Sequence, residues 1–297
     1  MDYIQKNDRI IISNLKSFNI DEILESGQCF RYDEIEEKLY AIVANNRVLY
    51  IKQEENIELY PCTEAEFKDI WVKYFDLDRD YCEVKAEISK EDPILQEAIA
   101  FAPGIRLLNQ GPYECLISFI ISQNNRISRI KQVIESLSRT FGEKIEDPYG
   151  GEYYTFPTVR ALNEASIDEI MSCGTGFRAK YIKDACEKIV NGEIVLDELE
   201  NFDEERAREV LVKIHGVGQK VADCVLLMAL GKHNTFPTDV WIKRVMEVFY
   251  FDGKATPVRQ IHVYAAKKWG AKSGFAQQYL FHYAKEKQIG KNEKNIE

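Results

Sequence analysis

The chain of 297 residues carries 39 Lys and Arg against 49 Asp and Glu, a formal charge of −10 at neutral pH. With 45% hydrophobic and 30% charged residues it can bury a sizeable core, and these proportions exclude a disordered or collagen-like chain. No run approaches the ~20 continuous apolar residues of a membrane span, and the polar start "MDYIQKNDRIIIS" lacks the apolar centre of a signal peptide. The expectation is an intracellular protein, cytoplasmic (at the nucleoid) if bacterial.

Residues 9 to 60 read as extended structure. "RIIISNLKSF" is one candidate strand, and "KLYAIVANNRVLYIKQ" holds two more, joined by Asn45 and Asn46, which tolerate the left-handed backbone of a hairpin turn. From "EAEFKDIWVKYFDL" onward the apolar period is helical. In "PYECLISFIISQNNRISRIKQVIESLSRTFG" the helical pattern breaks at "SQNNR", resumes with Ile127, Ile130, Ile134 and Leu137, and reaches a candidate C-terminal cap at Gly142. Further helices are expected near 159–173, 178–191, 203–214, 220–231, 240–249, 257–269 and 274–286. The fold class is therefore α+β: an N-terminal antiparallel β-sheet domain over 1–102, an all-helical body over 103–290 and a polar tail over 291–297.

Seven scattered cysteines include no CxxC pair, which points to buried free thiols rather than a disulfide framework or zinc site. The acidic total argues mildly against a nucleic-acid partner. Its distribution weakens that objection. From Phe251 onward nine Lys or Arg face four Asp or Glu, a local excess of 9 − 4 = +5.

The stretch "EVLVKIHGVGQKVADCVLLMAL" carries the most chemistry. Val210, Leu211 and Ile214 recur at helical spacing before the glycines, as do Val221, Cys224, Val225 and Met228 after them. The pattern describes a helix, a very tight turn and a second helix. Gly216 and Gly218 free the turn from Cβ atoms and open the next helix's first N–H groups to an anion such as a DNA phosphate. An ordinary αα-turn explains the two glycines equally well. Lys220 adds weight to the first reading: a cation in a helix's first turn opposes the dipole. It is either a plain surface residue or an amine kept there to attack carbon. Asp239 in "FPTDVWIKRV" is read as a helix N-cap, a rigidly aimed carboxylate that can also stabilise a nearby cation.

The motifs "ESGQCFRY" (25–32), "YFDLD" (74–78), "GIRLLNQGPYECLISFIISQNNRISRI" (104–130), "GFRAKYI" (176–182), "GVGQKVADCVLLMAL" (216–230) and "GFAQQYLF" (274–281) occur in one order along nearly the whole chain. In that order the sequence resembles the 8-oxoguanine DNA glycosylases of the eukaryotic type, within the helix-hairpin-helix glycosylase superfamily. The resemblance implies a helical body of two lobes with the hairpin at about 210–231. It also implies a bifunctional repair enzyme. Lys220 would attack C1′ of the damaged nucleotide and leave a Schiff base, Asp239 would stabilise the developing positive charge, and β-elimination would nick the strand.

Further roles follow from the resemblance at matched positions. The Gly27 carbonyl would recognise the hydrogen on N7 of 8-oxoguanine; read alone, Gly27 is a bulge or bend in a β run. Gln277 would read the base edge between Phe281 and Cys224, with Met228 on the same wall. Asn124, Arg129 and Arg178 would fill the gap and meet the orphaned cytosine, and Phe177 would be the wedge. His215, Gly216, Gly218, Gln219 and Trp241 would meet the DNA backbone. Departures from the family pattern stand at Trp241 (histidine in eukaryotic members), Arg126 (asparagine) and His215 (proline). No four-cysteine cluster follows the hairpin, so no iron–sulfur cofactor is expected, only a possible Na+ or K+ on hairpin carbonyls. The implied partner is duplex DNA with 8-oxoguanine opposite cytosine, bound by a monomer without a membrane. The alternatives are a monofunctional alkylated-base glycosylase and a non-catalytic helix-hairpin-helix DNA-binding protein.

Overall fold

The computed structural model describes residues 1–290, so the polar tail expected over 291–297 lies outside the described residues. Six strands form one fully antiparallel sheet: β1 (Asp2–Lys6), β2 (Arg9–Ser13), β3 (Tyr32–Glu36), β4 (Leu39–Ala44), β5 (Arg47–Gln53) and β6 (Ile57–Tyr60), in the order β1-β2-β6-β5-β4-β3. Asn45 and Asn46 both sit in the left-handed region (φ 51° and 58°), as the two-residue hairpin between β4 and β5 requires.

Period-two alternation sends Tyr40, Ile42, Leu49, Ile51 and Leu59 to one face of this sheet, against Phe67, Trp71 and Phe75. The expected extended run over 9–60 is interrupted by α1 (Ile20–Glu25), whose N-cap Asn19 accepts from the N–H groups of Asp21 and Glu22. That asparagine cap outweighs the apolar run around it.

The other sheet face is covered too. Ala41, Val43, Val48, Tyr50 and Tyr60 pack under Ile145 and Tyr153, which belong to a two-stranded hairpin, β7 (Lys144–Ile145) with β8 (Tyr153–Tyr154). The sequence expectation of continuous helix missed this hairpin, because two-residue strands leave no periodic signal. Gly142, before it, is the C-cap of its helix as expected, but in extended backbone (φ −90°, ψ 174°) rather than the left-handed form. Its lack of a side chain lets the Thr155 carbonyl pass close by.

The helices are α2 (64–74, with a π-helical turn over Phe67–Trp71), α3 (Tyr81–Ile88), α4 (Pro93–Phe101), α5 (Pro112–Ser122), α6 (Ile127–Phe141), α7 (Val159–Glu164), α8 (Ile167–Ile170), α9 (Ala179–Val190), α10 (Glu204–Leu211), α11 (Gln219–Ala229), α12 (Val240–Tyr250), α13 (Val258–Trp269) and α14 (Ser273–Glu286). The helix expected over 159–173 is split at Ala165–Ser166, where Ser166 and Glu169 form a capping box that starts a new helix. Helices α5, α7, α8 and α9 form one group, and α3, α4, α12, α13 and α14 a second; α11 packs on α5 and α10. Tyr81, Val84, Ile88, Leu95 and Ala98 join the helical core, while Leu108 packs in the core of the sheet.

Candidate active site

A cavity of about 560 Å³ opens between the two helical groups and the loop after α1. One of its walls is α11. Lys220, Cys224 and Met228 are four residues apart, so all three project from the same face into the cavity. Cys224 and Met228 are buried, and Lys220 is half-buried with its ammonium 5.1 Å from the centre of the Phe119 ring. Burial pushes the Cys224 thiol up to about 11, so at neutral pH it is an uncharged, soft wall rather than a competing nucleophile.

Asp239 faces Lys220 from across this wall. It is the N-cap of α12 and accepts from the Ile242 N–H at 2.8 Å. Burial is the largest influence on its carboxyl and raises it above the usual carboxylate range, against the lowering effects of that N–H and of Lys220. Lys220 and Asp239 line one cavity without closing into an ion pair of 4.0 Å or less. The Lys220 amine hydrogen-bonds to the Cys224 thiol, and the Asp239 carboxylate is held by the N-terminus of α12.

The opposite wall joins two distant parts of the chain. Gly27 follows Ser26, the C-cap of α1, at φ +75°. It is the left-handed residue that ends a helix, not the bulge or bend in a β run that the sequence suggested. A side chain there would reach within 2.9 Å of Phe281 Cε1, so Gly27 and Phe281 are in direct apposition. The loop is pinned: Gln278 Nε2 donates to the Ser26 carbonyl at 2.7 Å, Gln110 Nε2 to the Gln28 carbonyl at 2.8 Å, and Gln28 Nε2 to the Arg106 carbonyl at 2.7 Å. Gly27 lies between these pinned residues, at the edge of the cavity. Beside it, Gln277 is 4% exposed and its buried Oε1 has no partner. An unmet buried acceptor costs about 1–3 kcal/mol, which a donor-bearing ligand edge would recover.

The rim is built differently. Asn124 is exposed in left-handed backbone (φ 49°). Phe177 is 55% exposed, with its ring edge-on to Tyr181 at 5.8 Å. Arg129 is exposed and lies over Gly174, where a side chain would overlap its guanidinium. Arg178 sits deeper than the other rim residues. Its guanidinium is buried and donates to the carbonyls of Gln123, Asn124 and Thr175, and the loop preceding α6 is held by it.

At the hairpin, Gly216 takes φ +80° beneath the Tyr181 ring, which leaves no room for a side chain, whereas Gly218 is in ordinary extended backbone (φ −91°, ψ 177°) with open space where a Cβ would stand. Only the first needs glycine for its dihedral angle; the second leaves room for a close approach. No side chain caps the start of α11, and Gln219 is exposed beside it. His215 is exposed, and its N–H donates to Asp184 at 2.7 Å. Trp241 lines the cavity under Arg244, whose guanidinium is 5.2 Å from the ring centre.

Sequence reasoning missed Phe30, Phe119, Pro237 and Lys285, which also line the cavity. Phe119 sits in an apolar run where no spacing separates a cavity wall from a core.

Two family models match consecutive parts of the chain: "8-oxoguanine DNA glycosylase, N-terminal domain" over residues 10–116 and "HhH-GPD superfamily base excision DNA repair protein" over residues 117–270. An N-glycosylase/DNA lyase of Saccharomyces cerevisiae is 31% identical over 90% of this chain and 84% of its own length. The structure of Clostridium acetobutylicum 8-oxoguanine glycosylase/lyase, in complex with double-stranded DNA containing cytosine opposite 8-oxoG, superposes with a TM-score of 0.94 at 41% identity, covering 97% of this chain and 99% of that one. MBOgg1 in complex with a low-affinity DNA ligand gives a TM-score of 0.93 at 47% identity, covering 97% and 100%.

Proposed function

The chain belongs to the HhH-GPD superfamily of base excision DNA repair proteins, in the group that carries the 8-oxoguanine DNA glycosylase N-terminal domain, and from that premise we propose how its cavity works. It is a DNA glycosylase with DNA lyase activity that removes 8-oxoguanine from DNA. The base is turned out of the duplex into the cavity, because its reacting atom is inaccessible inside the stack. The Lys220 amine bonds to C1′ as the glycosidic bond breaks and the base leaves with the bonding electrons. Loss of a proton from nitrogen to Asp239 or solvent, with ring opening, gives the imine. Removal of a C2′ proton then expels the 3′ phosphate and nicks the strand. The fixed Asp239 carboxylate faces the positive charge that develops on the sugar.

Recognition falls to the opposite wall. The Gly27 carbonyl accepts from the hydrogen on N7 that 8-oxoguanine has and guanine lacks, and Gln277 Oε1 accepts from the donors of its Watson–Crick edge. Phe281 and Cys224 enclose the ring faces. Asn124, Arg129 and Phe177 occupy the gap in the duplex, with Arg178 beside them and cytosine as the base opposite. Gly216, Gly218, Gln219, His215 and Trp241 approach the phosphates. The hairpin "HGVGQ" contains no acidic side chain, so its neutral carbonyls suit Na+ or K+ better than a divalent ion; such an ion would supply charge toward a phosphate. The chemistry draws on no organic cofactor or iron–sulfur cluster. One chain supplies the whole site, so the protein acts as a monomer. No helix among the described residues is long and apolar enough to cross a membrane, and the work is done in the compartment that holds the DNA, the nucleoid if the source is bacterial.

The observation that carries this reading is the convergence of Lys220 and Asp239 on one cavity with the unpartnered Gln277 acceptor. An alkylated-base glycosylase that activates water would have no use for Lys220 there, and a DNA-binding module none for the cavity. Borohydride trapping on an 8-oxoguanine duplex tests it. A covalent protein–DNA adduct is expected from the wild type and none from Lys220→Gln; an undiminished adduct in that variant removes Lys220 from the role.

A further inference from the structure

Lys220 and Asp239 stand on the first turn of α11 and at the cap of α12, two elements whose mutual distance no local sequence sets. One side chain from a third helix spans the pair. His262, half-buried on α13, has Gln219 Nε2 3.0 Å from its Nδ1 and Thr238 Oγ1 3.0 Å from its Nε2. Gln219 immediately precedes Lys220, and Thr238 immediately precedes Asp239. The residues behind the two reacting side chains are thus joined through a single imidazole.

The proton positions follow from the neighbours. The Thr238 hydroxyl donates its one proton to the Phe236 carbonyl at 3.0 Å, so toward the ring it can only accept, and Nε2 carries the ring proton. With the ring neutral, Nδ1 accepts from the Gln219 amide. Burial favours the neutral ring, against the nearby carboxylate of Asp223, which is itself paired with Arg208 at 2.6 Å. The Phe236 carbonyl, two residues before Thr238, is a further hydrogen-bond partner of the ring, so the imidazole is held by Gln219 on one segment and by Thr238 and Phe236 on the other.

We propose that His262 is a positioning residue that fixes the separation of Lys220 and Asp239 by bridging Gln219 and Thr238. It touches no reacting atom. A neutral donor–acceptor group of the right reach is what the bridge needs, and displacement of a reacting group by ~1 Å can slow catalysis by as much as ~100-fold. The inference rests on the roles given to Lys220 and Asp239 above.

The test compares His262→Leu, His262→Gln and Thr238→Val in the full chain, reading single-turnover excision on an 8-oxoguanine duplex, borohydride trapping and affinity for the same duplex. Leucine keeps apolar bulk without hydrogen bonds, and the glutamine amide restores one donor and one acceptor. Expected are a loss of roughly 10- to 100-fold in excision and trapping rates for His262→Leu, a smaller loss for Thr238→Val, recovery to within about 3-fold in His262→Gln, and duplex affinity within about 2-fold throughout. Adding Thr238→Val to His262→Leu should slow it no further, since both break the same bridge. A wild-type rate in His262→Leu, equal losses in the Leu and Gln variants, independent losses in the double variant, or an affinity loss equal to the rate loss would each overturn the bridge. A wild type that gives no trapped adduct, or a Lys220→Gln variant that still gives it, overturns the roles of Lys220 and Asp239 themselves, and so separates the two failures.

Discussion

The cavity wall on α11 and the rim around Asn124 and Phe177 differ in how they hold their functional groups. On the wall, every residue from Val221 to Ala229 is buried, and Lys220, Cys224 and Met228 are aimed by the helix itself. On the rim, Asn124 is exposed in left-handed backbone, Phe177 is more than half exposed, and the charge of Arg178 is occupied by carbonyls of its own chain. Bond-making needs groups set in advance, because reorganisation adds to the barrier. Filling a gap in a duplex needs groups that adapt to a partner. The wall should accordingly fail through rate, and the rim through stability and opposite-base choice.

Substitution at Lys220, the nucleophile we propose, gives the largest expected effect. Lys220→Gln should lower single-turnover excision by ~10⁴-fold or more while duplex affinity stays close to wild type; a parallel fall in affinity would show that the wall is not preorganised. Next is Asp239→Asn, which keeps an N-cap acceptor and should lose roughly 10²–10³-fold in excision.

The same variant carries a stability sign. Burial raises the Asp239 carboxyl, so its charged form costs folding stability once pH exceeds the folded-state value, and the native contribution is fully present only below the unfolded value near ~3.9. Melting curves should therefore find Asp239→Asn as stable as wild type or more so at pH 7, with the advantage vanishing on acidification toward pH ~4.

On the rim, Arg178→Ala should cost about 1–3 kcal/mol in urea unfolding, from carbonyls left unpaired, and weaken the preference for cytosine opposite the lesion. Phe177→Ala, in contrast, should stay within ~0.5 kcal/mol of wild type. Equal stability in both variants would remove the difference between the buried and the adaptable rim residue. At Gln277→Ala, 8-oxoguanine excision should be slower by about 10-fold, the equivalent of one net hydrogen bond, with undamaged duplex bound as before. Equal losses on both DNAs would mean that Gln277 does not read the base.

Several parts of this molecule are written locally. The Asn45–Asn46 turn, the Asp239 cap and the four-residue spacing of Lys220, Cys224 and Met228 depend only on residues within a turn or two, and they stand where the sequence places them. The misreadings have the opposite character. The hairpin of β7 and β8 exists because it covers a sheet face about a hundred residues away in sequence. That Arg178 holds the Gln123 and Asn124 carbonyls is set by the fold and by no spacing in its own segment. His262 is a lone histidine in a helix, with nothing around it to announce that the Gln219 and Thr238 side chains meet at its ring.

The sequence by itself determined the Asn45–Asn46 turn, most helices of the body, the helical hairpin and the row of groups along α11, since 3.6 residues per turn fixes which side chains share a face. Only the tertiary structure decided that Gly27, Gln277 and Asp239 would converge on that row. Their separations are set by how helices and sheet pack their apolar faces, and by pinning bonds such as that from Gln278 to Ser26. No periodicity along one segment encodes such distances.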